Sequence, residues 1–102
     1  MRPDGPPLDL ANAIRGFAVL KDKAGETHEA QRLWQEAHRI YLSVNATAAI
    51  VESAAGLALL ARHHGDLSAS RGWFEAAVAA AAIAADPDTL GYVRKVEVEL
   101  AH

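Results

Sequence analysis

The chain has no cysteine. That excludes disulfide staples, thiolate nucleophiles and cysteine-based zinc sites, and it agrees with a reducing compartment. Aromatic residues make up only 6% of the 102 residues, and neither they nor the β-branched residues gather into alternating runs, so strands are not expected. The longest apolar run, Ala76 to Ala85, has ten residues, half of the ~20 that a membrane-spanning helix needs. The N-terminal M-R-P-D-G-P-P has adjacent prolines and no apolar core, so a secretory leader is not expected there. A net charge of −3 supplies no basic footprint for nucleic acid or anionic lipid. These absences describe a soluble, cytoplasmic chain with neither nucleic acid nor membrane as partner.

What the chain has in quantity is alanine, 23 residues of it. Alanine gives up no side-chain entropy in a helix, so the composition predicts an all-α domain. Pro6 and Pro7 suit the first turn of a helix, where the missing N–H would lack a partner anyway. A first apolar stripe follows through Leu10, Ile14, Phe17, Leu20 and Ala24, with Ala13 and Ala18 on the same side, and Gly25 ends it as a left-handed cap. Glu26 or Thr27 then starts a second helix, with Glu26 and Glu29 spaced as a capping box. Its stripe is Ala30, Leu33, Trp34, Ala37, Ile40, Tyr41 and Val44, and Asn45 makes the next break. A third helix carries Ile50, Val51, Ala54, Leu57, Ala58 and Ala61 before Gly65. Asp66 caps a fourth with Leu67, Trp73, Phe74, Ala77, Val78 and Ala81, whose alanine-rich tail can lie close to a neighbour. Asp86-Pro87 opens a fifth, with Leu90, Val93, Val96 and Leu100 on one side.

Two stretches of this chain are alike. G-E-T-H-E-A-Q-R-L-W-Q-E-A from Gly25 returns as G-D-L-S-A-S-R-G-W-F-E-A-A from Gly65, and G-F-A-V-L from Gly16 returns as G-L-A-L-L from Gly56. Both matches share one offset of forty residues, the mark of an internal repeat. The spacing resembles the tetratricopeptide repeat. In the first unit the pattern falls on Ile14, Phe17, Ala18 and Lys21, then Gly25, Ala30, Trp34 and Ala37. In the second it falls on Ala54, Leu57, Ala58 and Ala61, then Gly65, Ser70, Phe74 and Ala77. The offset exceeds the family's usual 34 residues and resembles the long-period, kinesin-light-chain-like type. The closing proline is missing after the first unit and comes late, as Pro87, after the second.

The resemblance implies two helix hairpins, residues 8–45 and 46–86, then a capping helix over 87–102, stacked as a right-handed α-solenoid. Small Ala18, Ala30, Ala58 and Ser70 mark where paired helices touch, since anything larger would push their axes apart. Trp34 and Phe74 are expected to plug the hollow between the paired helices, which turns Trp73 away from Phe74. The resemblance further implies a scaffold that binds a protein or peptide on the concave face, with no catalysis and no cofactor. Carried over, the groove positions are Asn12, Arg15, Val19 and Asp22 on the first helix, and Glu52, Ala55, Leu59, Arg62 and His63 on the third. Arg94 and Val98 are the expected positions on the fifth. The family's Lys/Asn clamp for a C-terminal carboxylate is not present, so a reader of chaperone tails is not expected.

Other readings compete with this one. Arg15, Arg62 and Arg94 form a cationic strip for an acidic peptide, unless they are surface charges paired with Asp22 or Glu52. Gly16 and Gly56 sit mid-helix, either as a bare patch for a ligand backbone or as tight helix packing. The five histidines lack a convergent ligand set, so no metal site is expected. Ser43, Ser53, Ser68 and Ser70 lack a nucleophile elbow or a recognisable base, and no phosphate loop is present. Self-association through the outer side of the first helix is the alternative function. A helical ligand carrier or enzyme is the more distant one.

Overall fold

Left-handed residues punctuate the chain at twenty-residue steps: Gly25, Asn45, Gly65 and Ala85, with φ of 81°, 54°, 81° and 52°. The computed structural model describes residues 5–101, and these form five helices. They are α1 (Gly5–Lys23), α2 (Thr27–Ser43), α3 (Thr47–His63), α4 (Leu67–Ala84) and α5 (Pro87–Ala101). No strand occurs among the described residues. The reading of Met1 to Asp4 as no leader, and the end of the capping helix at His102, lie outside them.

The first three turns are closed by one hydrogen-bond pattern. Glu26 N–H donates to Lys21 O and Gly25 N–H to Asp22 O; Ala46 and Asn45 repeat this onto Tyr41 and Leu42, and Asp66 and Gly65 onto Ala61 and Arg62. This is the Schellman closure, in which one left-handed residue lets the chain satisfy two orphan carbonyls and reverse direction. The fourth turn uses the simpler form, with Ala85 N–H on Ala81 O. The helix starts differ. Asp66 Oδ1 accepts from Ala69 N–H at 3.0 Å, an N-cap as expected. The capping box expected at Glu26 and Glu29 does not form. Glu26 pairs with Lys21 at 3.2 Å and Glu29 with Arg32, because the box needs a short Ser or Thr to reach the N3 amide.

Helix α1 packs on α2, α3 on α4, α2 on α3, and α5 on both α3 and α4. The molecule measures 43 × 32 × 18 Å. A thickness of 18 Å fits two helix layers at ~8–10 Å between axes, with α1, α3 and α5 in one and α2 and α4 in the other. Helix α3 is the centre and is buried on several sides, through Val51, Ser53, Ala54, Ala55, Leu57, Ala58, Leu60 and Ala61. Its alanines are what let so many neighbours come close. The four small positions expected at the hairpin contacts, Ala18, Ala30, Ala58 and Ser70, are all buried, and Ser70 Oγ donates to Ala58 O at 2.8 Å.

Two apolar stripes are divided by the structure. On α1 the buried residues are Ala11, Ile14 and Ala18, while Leu10, Ala13, Phe17, Leu20 and Ala24 face outward. On α4 the buried residues are Ser70, Ala77 and Ala81, and Leu67 and Val78 are exposed, as are Ala79 and Ala82 of the tail. A helix so rich in apolar residues presents more than one stripe, and the packing partners choose between them. The fifth helix buries Val93 and Val96 with Leu100 beside them, while Leu90, expected on the same side, is exposed. No helix among the described residues is long and apolar enough to cross a membrane.

Candidate functional site

The helices of the α1–α3–α5 layer place residues of like position side by side, and their N-terminal halves bound two clefts. One of about 430 Å³ lies between α1 and α3 and is lined by Leu8, Asn12, Arg15, Ala48 and Glu52 among others. The second, of about 230 Å³, lies between α3 and α5 and is lined by Ala48, Glu52, Asp86, Asp88, Thr89 and Tyr92. Ala48 and Glu52 belong to both, so the clefts form one groove across three helices. The forty-residue offset orders it into two rungs one helical turn apart: Leu8, Ala48 and Asp88, then Asn12, Glu52 and Tyr92.

The rungs change character along their length. At the α1 end, Tyr41 O–H donates to Asn12 Oδ1 at 2.6 Å, which ties α2 to the groove floor. Burial pushes the Tyr41 phenol up, so it stays a donor at neutral pH. At the centre Arg15 Nη1 donates to Glu52 Oε2 at 2.5 Å, bridging α1 to α3. Both side chains are partly exposed, so the pair contributes at most ~1 kcal/mol to stability. Its larger effect is to neutralise the middle of the groove. At the α5 end stand Asp86 and Asp88 beside Tyr92, whose phenol is raised by burial and then by the charges of Glu52 and Glu99. Asp86 also caps α5, accepting from Thr89 N–H at 3.2 Å and Thr89 O–H at 2.9 Å.

Of the positions expected in the groove, Asn12, Arg15 and Glu52 line the clefts, and Val19, Asp22, Leu59, Arg62, His63 and Arg94 line neither. Leu59 packs against the α3–α4–α5 core and Ala55 is fully buried within it. Arg62 Nη1 donates to Glu99 O at 2.6 Å, tying α3 to the end of α5. Arg15 thus meets a carboxylate within the chain, and Arg62 a backbone carbonyl. Arg94 and Val98 are exposed. The rung residues not expected are Leu8, Ala48, Asp88 and Tyr92, and the offset itself pointed to Tyr92: it falls on Glu52 and Asn12, whereas Arg94 falls on Ile14 and Ala54, positions buried in the hairpins.

A second polar cluster lies in the interior. His38 Nδ1 stands 2.5 Å from Ser53 Oγ, and Ser53 O–H donates to Ile50 O at 3.1 Å. Ser53 has one proton for these two contacts, and the direction of the His38–Ser53 bond follows the imidazole tautomer. Burial lowers the His38 pKa, and Trp73 meets its ring edge-to-face at 5.3 Å. Trp73, expected to point away from Phe74, therefore joins the neighbouring hairpin. The base that the sequence did not show beside Ser53 is His38, fifteen residues earlier on α2. A Ser–His contact in an open cleft is the start of a nucleophile and base, but Ser53 is fully buried and neither groove cleft reaches it. Among the described residues no group of three His, Cys, Asp or Glu converges on a point. Comparisons with protein families, with curated proteins and with solved structures find no match to this chain.

Proposed function

We propose that this chain is a non-catalytic module of the tetratricopeptide type that binds a protein or peptide segment along the α1–α3–α5 groove. The observation that carries the reading is the pair of rungs. Equivalent positions on three adjacent helices line one continuous groove, the arrangement that a segment crossing the helices needs. The internal repeat, the Schellman turns and the buried small residues at the hairpin contacts support the same reading.

The chemistry of the groove selects among segments. Leu8 and Ala48 offer apolar contact at the α1 end, and the Arg15–Glu52 pair leaves the middle nearly neutral. Asp88, which has no ion-pair partner among the described residues, supplies negative charge next to the Tyr92 ring, which suits a Lys or Arg side chain through ion pairing and cation–π attraction. The preferred ligand is an extended segment with an apolar residue followed by a basic one.

Selection from a random peptide library tests this. Enrichment for an apolar–basic pattern is expected, with binding reduced roughly tenfold by Asp88→Lys and again by Tyr92→Ala. Enriched peptides that bind equally well to both variants would place the binding surface elsewhere and end the groove assignment.

A further inference from the structure

We propose that α1 pairs antiparallel with α1 of a second copy of this chain to form a two-fold dimer, independently of the groove. The starting observation is the outward face of α1. Leu10, Ala13, Phe17 and Leu20 alternate steps of three and four residues, the spacing of a coiled-coil seam. Leu10, Phe17 and Leu20 are 55%, 59% and 62% exposed. Forty residues later the same positions are Ile50, Ser53, Leu57 and Leu60, and there Leu57 and Leu60 are 1% and 3% exposed. They lie beneath α2, which lays Trp34 over Gly56 and His38 on Ser53. This face is therefore a helix-packing face by construction. On α1, no described helix covers it.

Two relationships name the occupant. First, a second copy has no spare helix of the α2 kind: α2's own face is taken by α3, and α4's by α5. What the second copy does present is its own α1. Second, the seam is self-complementary only when antiparallel. Leu10 then meets Leu20 of the partner subunit, and small Ala13 meets large Phe17 of the partner subunit, filling each layer. Along one edge run Asp9, Gly16 and Lys23, each seven residues apart. The antiparallel two-fold sets Asp9 opposite Lys23 of the partner subunit and the two Gly16 residues together, at a position where nothing of the chain itself stands within 4 Å of a Cβ. A parallel pair would set this edge against the other flank of the seam, Ile14 and Lys21, and lose both Asp9–Lys23 pairs.

Sedimentation over a concentration series tests the pairing, with circular dichroism confirming helix content. The wild-type chain is expected to show a monomer–dimer equilibrium, lost in Leu20→Glu. Asp9→Lys and Lys23→Glu should each weaken it roughly tenfold, since each replaces two attractions by two repulsions. An equimolar mixture of these two variants should recover wild-type affinity, because the heterodimer restores both pairs. A wild-type chain that stays monomeric at millimolar concentration would overturn the proposal. So would a mixture no tighter than its components, or growth beyond a dimer, which would mean head-to-tail stacking.

Discussion

Trp34 of α2 lies against Gly56 of α3 so closely that a Cβ built on the glycine would stand 3.2 Å from two indole carbons. Trp34 thus reaches beyond its own hairpin and joins the two units. Gly16, the equivalent position one unit earlier, has no such neighbour. The two mid-helix glycines, alike in sequence, therefore answer oppositely to substitution. Gly16→Ala should stabilise the chain by about 0.5–1 kcal/mol, the helix-propensity gain with nothing to oppose it. In Gly56→Ala the same gain is outweighed by displacement of a packed indole, for a net loss of about 1 kcal/mol. Urea midpoints at low protein concentration distinguish the two; equal shifts would mean that the Trp34 contact is slack.

His38 gives the fold a pH dependence. Burial lowers its pKa in the folded state, while in the unfolded chain it returns to about 6.5. Between the two values the unfolded chain binds more protons, so stability rises with pH there and is lost as pH falls from about 6.5 through the lowered folded value. Below that value no further loss comes from this group. The difference in urea midpoint between wild type and His38→Gln, followed from pH 8 to 4, should change only within that window and be flat above about pH 7.5.

The two equivalent helix starts at Glu26 and Asp66 should not cost the same. Asp66→Ala removes a bond to Ala69 N–H and should cost about 1 kcal/mol. Glu26→Ala removes no cap bond and should stay within about 0.5 kcal/mol. Thermal unfolding of both variants checks the ordering.

Ala85 holds φ of 52° with a Cβ attached, the conformation that two of the three other turns give to glycine. Ala85→Gly relieves that strain and should raise stability by about 0.5–1 kcal/mol, with the start of α5 unchanged. Amide exchange at Asp86 to Leu90 and the unfolding midpoint report on it; a loss of stability would mean that the greater freedom of unfolded glycine dominates.

Periodicity, turn chemistry and the forty-residue offset are local properties, and they led to an all-helical chain whose breaks at Gly25, Asn45, Gly65 and Asp86 are where the structure has them. Part of the groove was legible for the same reason: Asn12 and Glu52 lie at corresponding repeat positions, with Arg15 one turn after Asn12. Tyr92 is legible in the same way, since the offset carries Asn12 and Glu52 onto it. His38 with Ser53 was not, because nothing in either helix alone says that a polar residue on one will meet a polar residue on the other.

The sequence by itself determined the elements and their turns, since a helix is closed by hydrogen bonds four residues apart and a left-handed cap by bonds within six. Only the tertiary structure decided which of two apolar stripes on α1 and α4 is buried. It also decided that Arg15 meets Glu52 and Arg62 the Glu99 carbonyl, and that Trp34 belongs to the junction between hairpins. Those outcomes depend on which surfaces meet, and a stripe of alanine and leucine packs equally well in either direction until a neighbouring helix takes one side.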